Sequence, residues 1–263
     1  MTTDTWQLLT PQQASSTRRV LAHEGAQRRH VVVSLSGAHA YGFPSPDSDV
    51  DVKAIHLDET RSLLGFPRTA AAAERLEIVD GVEIDYSSNE LGPVLLAVLK
   101  GNGNYLERIV GGHALEGSAI LEGLRAPVVR SLSRRVARHY LGFATQQRRE
   151  WEAGGRTSAK KLLYVLRTAL TGAHLLLEGE VITDVTKLLE RYGFGEAVQL
   201  VEEKRRGEKA SLPAELSGHW ERRLPEVLDA LSRAEERSPL PAEPTNAEEL
   251  ETWLIDARLR CRE

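Results

Sequence analysis

The chain contains one cysteine, Cys261, among its 263 residues, and no apolar run long enough to cross a bilayer. A single cysteine excludes an internal disulfide framework and a cysteine-rich zinc site, so a reducing, cytoplasmic environment is expected. The lack of a long apolar run predicts that no helix spans a membrane. The first residues also lack the basic and apolar regions of a signal peptide. These absences favour an ordinary globular protein, and they leave the oligomeric state undetermined.

Net charge is small, but it is distributed unevenly. The formal net charge is −4, yet residues 125–161 carry ten basic and two acidic side chains between two acidic segments. Arg130, Arg134 and Arg138 recur every fourth residue, so we expect them to line one face of a helix. Such a stripe is typical either of a surface that binds a polyanion or of a solvated helix face paired with acidic neighbours.

A β-branched segment leads into a glycine turn. Residues 30–36 read His-Val-Val-Val-Ser-Leu-Ser, which predicts a buried strand. The turn that follows begins at Gly37 and ends at Gly42, and its backbone amides are suited to a phosphate group. Isolated glycines most often only permit a turn. The spacing of these glycines to the next motif is therefore what indicates a function.

Two aspartates one residue apart, Asp49 and Asp51, follow the turn on a strand predicted over residues 49–57. Alternate side chains of a strand share a face, so both carboxylates are expected on one side. Two carboxylates on one face can hold hard cations such as Mg²⁺ or Mn²⁺. A solvated acidic turn is the alternative interpretation. A calcium loop is disfavoured because it needs Gly and usually Glu where this chain has Val52 and Asp58.

Two alternating segments separated by Asp80-Gly81 predict a β-hairpin, since this dipeptide is a strong hairpin signal. The alternation places Leu76 and Ile78 in the core and puts Asp85 on the second strand.

From about residue 89 onward the apolar periodicity is helical, and no later strand is predicted. Helices are expected from Pro127 to about Trp151, from a cap at Ser158 to Gly179, and over residues 184–192, 194–208, 217–236 and 246–260. The predicted fold class is α+β, with a small mixed-sheet domain in residues 1–124 followed by an α-helical domain in residues 125–263.

These motifs together resemble the polymerase-beta-like nucleotidyltransferase superfamily, whose signature reads G-S-x-x-x-G, five residues, then S-D-x-D on the next strand. Gly37, Gly42, Ser48, Asp49 and Asp51 fall in register with that signature. The first domain would accordingly be a nucleotidyltransferase domain. The resemblance is strong over the first half of the chain and loose over the helical second half.

Within the superfamily, the chain is most similar to the predicted nucleotidyltransferases grouped with RNA-repair-type enzymes. There a basic residue follows the two aspartates and a K-G-N-x-N turn comes later, and this chain has Lys53 and residues 100–104 at those places. The resemblance implies transfer of an NMP from an NTP to a hydroxyl with release of pyrophosphate, dependent on Mg²⁺ or Mn²⁺.

The resemblance also implies roles for individual residues. Asp49, Asp51 and Asp85 would form the catalytic, metal-holding triad. The expected nucleotide-binding residues are Ser36, Gly37, Ala38, His39, Gly42, Ser48, Lys53, Lys160, Lys161 and Tyr164.

The chain departs from the family pattern in its turn. The family has Ser after the first glycine and usually Arg next, where this chain has Ala38 and His39. A hydroxyl and a permanent positive charge are therefore missing from the turn. Ser36 and Ser34 are candidate substitutes for the hydroxyl, and weaker nucleotide binding or a different donor are the two consequences left open.

The sequence leaves the acceptor undetermined. The basic segment favours a nucleic-acid end, RNA above all, over a cationic small molecule, which would require an acidic cleft. A protein acceptor also stays open. The alternative function is a non-catalytic module that binds a nucleotide or a partner, but a full aspartate triad argues against it because clustered carboxylates repel without a cation.

Overall fold

The computed structural model describes residues 4–64, 72–207 and 211–260. The described strands are β1 (Arg29–Leu35), β2 (Val50–Leu57), β3 (Ala72–Val79), β4 (Val82–Glu90) and β5 (Ala114–Gly117). The described helices are α1 (Pro11–Gly25), α2 (Gly37–Tyr41), α3 (Thr60–Leu64), α4 (Leu91–Leu99), α5 (Gly103–Val110), α6 (Ala119–Arg130), α7 (Val136–Ala153), α8 (Ala159–Glu178), α9 (Val198–Arg205), α10 (Ala214–Arg237) and α11 (Ala247–Arg260). Among them, none is both long and apolar enough to cross a membrane.

The chain divides into two compact units that are not continuous in sequence. The first comprises residues 1–37, 49–131 and 244–263, and the second comprises residues 38–48 and 132–243. This division differs from the predicted boundary between residues 124 and 125. Helix α6 lies in the first unit because it packs on α5 and β1, and α11 joins the same unit by packing on α4 and α6.

The first unit contains a mixed five-stranded sheet in the order β3-β4-β2-β1-β5. Strands β2 and β4 are parallel, and the other neighbouring pairs are antiparallel. The predicted α+β class with a mixed sheet is therefore confirmed. The prediction that no strand follows residue 89 is wrong, because β5 pairs with β1 at the sheet edge. This strand has four residues and one buried side chain, Leu115, so it carries no alternation for the sequence to reveal.

One face of the sheet is closed by the core. Val50 and Val52 of β2 pair with Ile84 and Tyr86 of β4, and all four side chains are buried. The residues between them along each strand point to the other face, which is partly open to solvent. The carboxylates of the predicted triad that lie on these strands belong to that open face.

The predicted hairpin is present, and the two residues of its turn, Asp80 and Gly81, both have positive φ, at 52° and 77°. Its predicted core residues are wrong. Leu76 and Ile78 are 70% and 71% exposed. Strand β3 is an edge strand, and Leu76 pairs with Asp85, so these apolar side chains share the open face. Alternation shows which residues share a face but not which face is covered.

The second unit is helical, with α8 packed between α7 and α10. The predicted limits of α8 are confirmed: the Lys161 amide donates to Ser158 Oγ at 3.3 Å, and Gly179 ends the helix at φ 72°. The helix predicted over residues 184–192 is wrong, because Val185–Lys187 and Glu190–Tyr192 form two separate 3-10 turns.

The single helix predicted from Pro127 to Trp151 is also wrong. Pro127 lies inside α6, which ends at Arg130, and α7 begins only at Val136. Arg130, Arg134 and Arg138 therefore do not line one helix face, contrary to the prediction from their four-residue spacing. The reason is local, since the Ser131 hydroxyl donates to the Val128 carbonyl at 2.7 Å and closes the helix end.

Gly37 is required by its conformation and by its neighbour. Its φ is +63°, and a Cβ placed there would overlap Asp51 Oδ2 and lie 2.8 Å from Asp51 Cγ. The preceding amide, of Ser36, donates to the Asp51 carbonyl at 2.9 Å. The exit of β1 is thus packed directly against the first predicted catalytic residue of β2.

Replacing Gly37 with Ala should destabilise the protein more than Gly81→Ala does. Gly81 also has positive φ, +77°, but nothing lies within 4 Å of the position that a Cβ would take there, so this control reports backbone strain alone. That strain costs about 1 kcal/mol. Gly37→Ala should cost this amount plus the displacement of Asp51, and Asp51→Ala should relieve the excess in the double variant. Equal unfolding free energies for the two alanine variants would contradict the close contact.

His30 is a partly buried histidine whose Nε2 lies 2.7 Å from Tyr86 Oη. Burial, His56 and Arg28 lower the pKa of His30 to about 4 from 6.5. Between these two pH values the unfolded chain binds a proton that the folded chain does not. Folding stability from this group is therefore fully present above pH 6.5 and is lost as the pH falls towards 4.

We expect His30→Asn to reduce the loss of stability between pH 7 and pH 5 by about 1 kcal/mol, a value discounted for partial exposure. Urea denaturation at the two pH values measures it, with His23→Asn on the exposed side of α1 as the control. An unchanged pH dependence in His30→Asn would show that another group causes the acid sensitivity.

Candidate active site

The parallel pairing of β2 with β4 brings two predicted catalytic residues side by side. Asp51 is the register partner of Asp85, and the adjacent positions Val52 and Tyr86 are buried on the opposite face. Both carboxylates therefore project from the open face of the sheet. We call Asp51 and Asp85 the aspartate pair.

A lysine ammonium lies against the aspartate pair. Lys53 Nζ is 2.8 Å from Asp85 Oδ2 and 3.8 Å from Asp51 Oδ1. The side chains are 18% exposed for Lys53, 19% for Asp51 and 42% for Asp85. The two carboxylates consequently converge on one cationic group in a partly desolvated position. The contact between Lys53 and the two aspartates is a structural fact, whereas the role of Lys53 in nucleotide binding stays a prediction.

Asp49 lies one residue before β2 and is partly exposed. Among the described residues, no group of three or more Asp, Glu, His or Cys side chains is arranged to hold a metal ion. Mg²⁺ usually retains waters and is bound through one or two carboxylates together with substrate phosphates. The aspartate pair fits that mode, because its oxygen donors already converge on a cation. A preformed three-carboxylate cage, as the predicted triad suggested, is not seen in this part of the chain.

The open face also carries an arginine that the sequence argument missed. Arg108 of α5 donates through Nη1 to Asn89 Oδ1 at 2.9 Å, and its guanidinium lies 4.9 Å from the Tyr105 ring centre. Asn89 is on β4, four residues beyond Asp85 on the same face. The K-G-N-x-N turn positions this helix, since the Asn104 amide donates to Asn102 Oδ1 at 3.0 Å. The only sequence signal for Arg108 was its proximity to that turn.

Ser34 and Ser36 were the candidates for the missing turn hydroxyl. Ser34 is buried, and its hydroxyl donates to the Arg108 carbonyl at 3.1 Å. Ser36 is only partly buried and directly precedes Gly37. The geometry therefore favours Ser36 over Ser34 as the substitute.

Ser48, a predicted nucleotide contact, lies in a buried network of the second unit. Lys204 Nζ donates to Ser45 Oγ at 2.7 Å and to Ser48 Oγ at 3.3 Å, and Lys204 is only 1% exposed. This network holds the loop that directly precedes Asp49 in sequence. Lys204 was missed, although its spacing from Leu200 and Val201 placed it on the apolar face of a helix.

The remaining turn residues also belong to the second unit. Ala38 and His39 are buried. Gly42 has φ +89°, and a Cβ there would overlap Asp184 Oδ1 and lie 3.0 Å from Asp184 Cγ. Gly42 is thus required by a close approach as well as by the turn. Nucleotide contacts by these three residues stay predictions.

On α8, the three predicted nucleotide contacts have different surroundings. Lys161 Nζ lies 2.8 Å from Glu150 Oε2, and this bond to Lys161 is the main cause that lowers the pKa of Glu150. The Tyr164 ring meets the rings of Tyr41 and Phe43 edge-on, with centres 5.7 Å apart in each case. Lys160 lies one turn before Tyr164 on the same helix face. Lys160 and Tyr164 can therefore approach one ligand together, and the nucleotide contacts of all three residues stay predictions.

Comparisons with known proteins point to one family. The family model described as "RNA repair pathway DNA polymerase beta family" matches residues 16–256. The uncharacterized protein MJ0002 of Methanocaldococcus jannaschii is 28% identical over 156 residues, which is 59% of this chain and 63% of that protein. The uncharacterized protein YcgL of Bacillus subtilis is 29% identical over 193 residues, which is 69% of this chain and 72% of that protein.

A solved nucleotidyltransferase-like protein from Exiguobacterium sibiricum is 11% identical, with a TM-score of 0.34, over 94% of this chain and 79% of that one. The family match is the informative comparison, because it spans the sheet, the aspartate pair and all of the second unit. The chain therefore belongs to the RNA repair pathway DNA polymerase beta family, within the polymerase-beta-like nucleotidyltransferases.

Proposed function

We propose that the protein is a metal-dependent nucleotidyltransferase that moves an NMP from an NTP to a hydroxyl and releases pyrophosphate. The observation that carries the proposal is the aspartate pair, whose two carboxylates converge on the open face of a sheet with a fixed register. Membership of the family agrees with this chemistry.

The roles of the residues follow from their positions. Asp51 and Asp85, together with Asp49 two residues before Asp51, would hold Mg²⁺ or Mn²⁺, and the Asp85 oxygen that does not bind the metal would accept the proton of the attacking hydroxyl. A bound metal would stabilise the charge that develops on the attacking and leaving oxygens. Gly37 keeps the chain close to Asp51, and the NTP contacts of Lys160 and Tyr164 stay predictions for the second unit.

An RNA end is the acceptor that we propose. The description of the family and the excess of basic residues in 125–161 both favour it. Arg134 and Arg138 are exposed and, within the described residues, neither takes part in a salt bridge. Arg130, by contrast, is paired with Glu249 of α11. Of the three arginines, only Arg134 and Arg138 therefore belong to the polyanion contact that we propose.

Replacing Asp51 or Asp85 with Asn should lower NTP-dependent pyrophosphate release by about a hundredfold or more, because each change removes a charge that acts in the transition state. Each of the four NTPs should be tested with Mg²⁺ or Mn²⁺ and pooled RNA. Glu83→Gln is the matched control, since Glu83 is exposed two residues before Asp85 on the same face.

Circular dichroism would establish that the variants are folded. Turnover by Asp51→Asn at the wild-type rate would show that the reaction does not require the Asp51 carboxylate. An unaltered protein that binds NTP but releases no pyrophosphate with any acceptor would favour the non-catalytic alternative.

The double variant Arg134→Ala with Arg138→Ala should weaken RNA binding and flatten the slope of log affinity against log salt by about two units, one for each lost phosphate contact. Fluorescence anisotropy with a short labelled RNA at several salt concentrations measures the slope. Arg130→Ala is the control, because the Arg130 side chain is already paired with Glu249. Identical slopes for wild type and the double variant would direct the search to a protein or small-molecule acceptor.

A further inference from the structure

The side chain of Lys53 is directed away from the residues that pair with Lys53 in the sheet. In the register of β2 with its neighbours, Lys53 lies opposite Ser87 on β4 and Ser34 on β1, both of which carry neutral hydroxyls. Its ammonium lies instead against Asp51 and Asp85, which are two residues before Lys53 and Ser87 on their strands. The side chain is therefore oriented by the charge of the aspartate pair.

This position is the one that a divalent cation needs. Lys53 Nζ contacts Asp85 Oδ2 at hydrogen-bond distance and Asp51 Oδ1 at ion-pair distance, so it uses one oxygen of each carboxylate. A metal ion at the pair would take the same oxygens and would repel the ammonium across a few ångströms. Lys53 and a metal ion thus compete for the aspartate pair.

A displaced ammonium needs another anion. On the same face, a carboxylate in register with Lys53 is that of Glu74, which lies across Ser87 on the exposed edge strand β3. An exposed carboxylate interacts weakly, because water screens it. A nucleoside triphosphate bound with its metal brings new negative charge to the aspartate pair itself.

We infer that Lys53 is the resident cation of the aspartate pair and that it changes partners, leaving Asp85 for a phosphate when the metal arrives with the nucleotide. The inference rests on the proposed function. It makes metal binding conditional on the nucleotide, because metal alone must displace Lys53 without offering it a new partner. Lys53 thereby discriminates between free metal and the metal–nucleotide complex.

Two affinities test the inference, and Lys53→Met should change them in opposite directions. Free Mn²⁺, followed by electron paramagnetic resonance, should bind the variant about tenfold more tightly than wild type, because its competitor is gone. The Mn²⁺ complex of α,β-methylene ATP, followed by calorimetry, should bind the variant several-fold more weakly, because a phosphate contact is lost. Lys53→Arg keeps the charge and should behave as wild type for free Mn²⁺. Lys187→Met is the control, since Lys187 faces a single carboxylate, Asp184, at 3.7 Å.

Stability without metal gives an independent measurement. In EDTA, Lys53→Met should lower the melting temperature by removing the ammonium that lies against both carboxylates, and adding Asp85→Asn should restore most of the loss. The inference therefore predicts the melting temperature change of a folded Lys53→Met variant, whether or not that variant is active.

Each of the other outcomes would contradict the inference, the proposed function or both. Weaker binding of both ligands by Lys53→Met would make Lys53 a structural support of the pair and overturn the inference. Tighter binding of both would make it a simple competitor and overturn the exchange of partners. If wild type binds Mn²⁺ and Lys53→Met binds it with the same affinity, the inference is wrong, but the proposed function is not affected. Mn²⁺ affinity that is absent from Lys53→Met as well as from wild type, or that is unaffected by Asp51→Asn with Asp85→Asn, overturns the proposed metal site as well.

Discussion

The parallel register of β2 against β4 is the constraint on which the candidate active site depends. Val50 and Val52 pair with Ile84 and Tyr86 on the closed face, so the core itself sets the register. A slip of one residue would expose those apolar side chains and turn Asp85 towards the core. The burial of apolar surface, about 25 cal/mol per Å², thus selects the arrangement in which the two carboxylates meet. The geometry of the aspartate pair is a by-product of the packing on the opposite face.

That arrangement places like charges next to each other, and the structure compensates them locally. Lys53 supplies the positive charge, and Gly37 supplies the space for the Asp51 side chain. Lys53 and Gly37 both belong to the first unit. The second unit contains a comparable device, in which a buried Lys204 holds Ser45 and Ser48. In each unit a lysine orders oxygen atoms close to Asp49 or Asp51 in sequence.

Sequence reasoning succeeded where the signal was local. The hairpin around Gly81, the cap at Ser158 and the shared face of Asp51 and Lys53 all depend on residues a few positions apart. It failed where contacts between distant segments decide. Strand β5 exists because β1 offers an edge, and the exposure of Leu76 depends on which face of the sheet other elements cover. The pairing of Arg130 with Glu249 joins residues 119 positions apart, beyond any helical periodicity.

The substitution of Ala38 and His39 for the family's Ser and Arg has an electrostatic context that the motif alone could not reveal. The turn lacks a permanent cation, yet the open face of the sheet carries two, Lys53 beside the aspartate pair and Arg108 beside Asn89. Arg108 donates to the side-chain oxygen of Asn89 on β4. The open face of the sheet therefore has positive charge of its own, whatever residue stands at position 39. Positive charge on the face where the phosphate chemistry is proposed comes from Lys53 of β2 and Arg108 of α5.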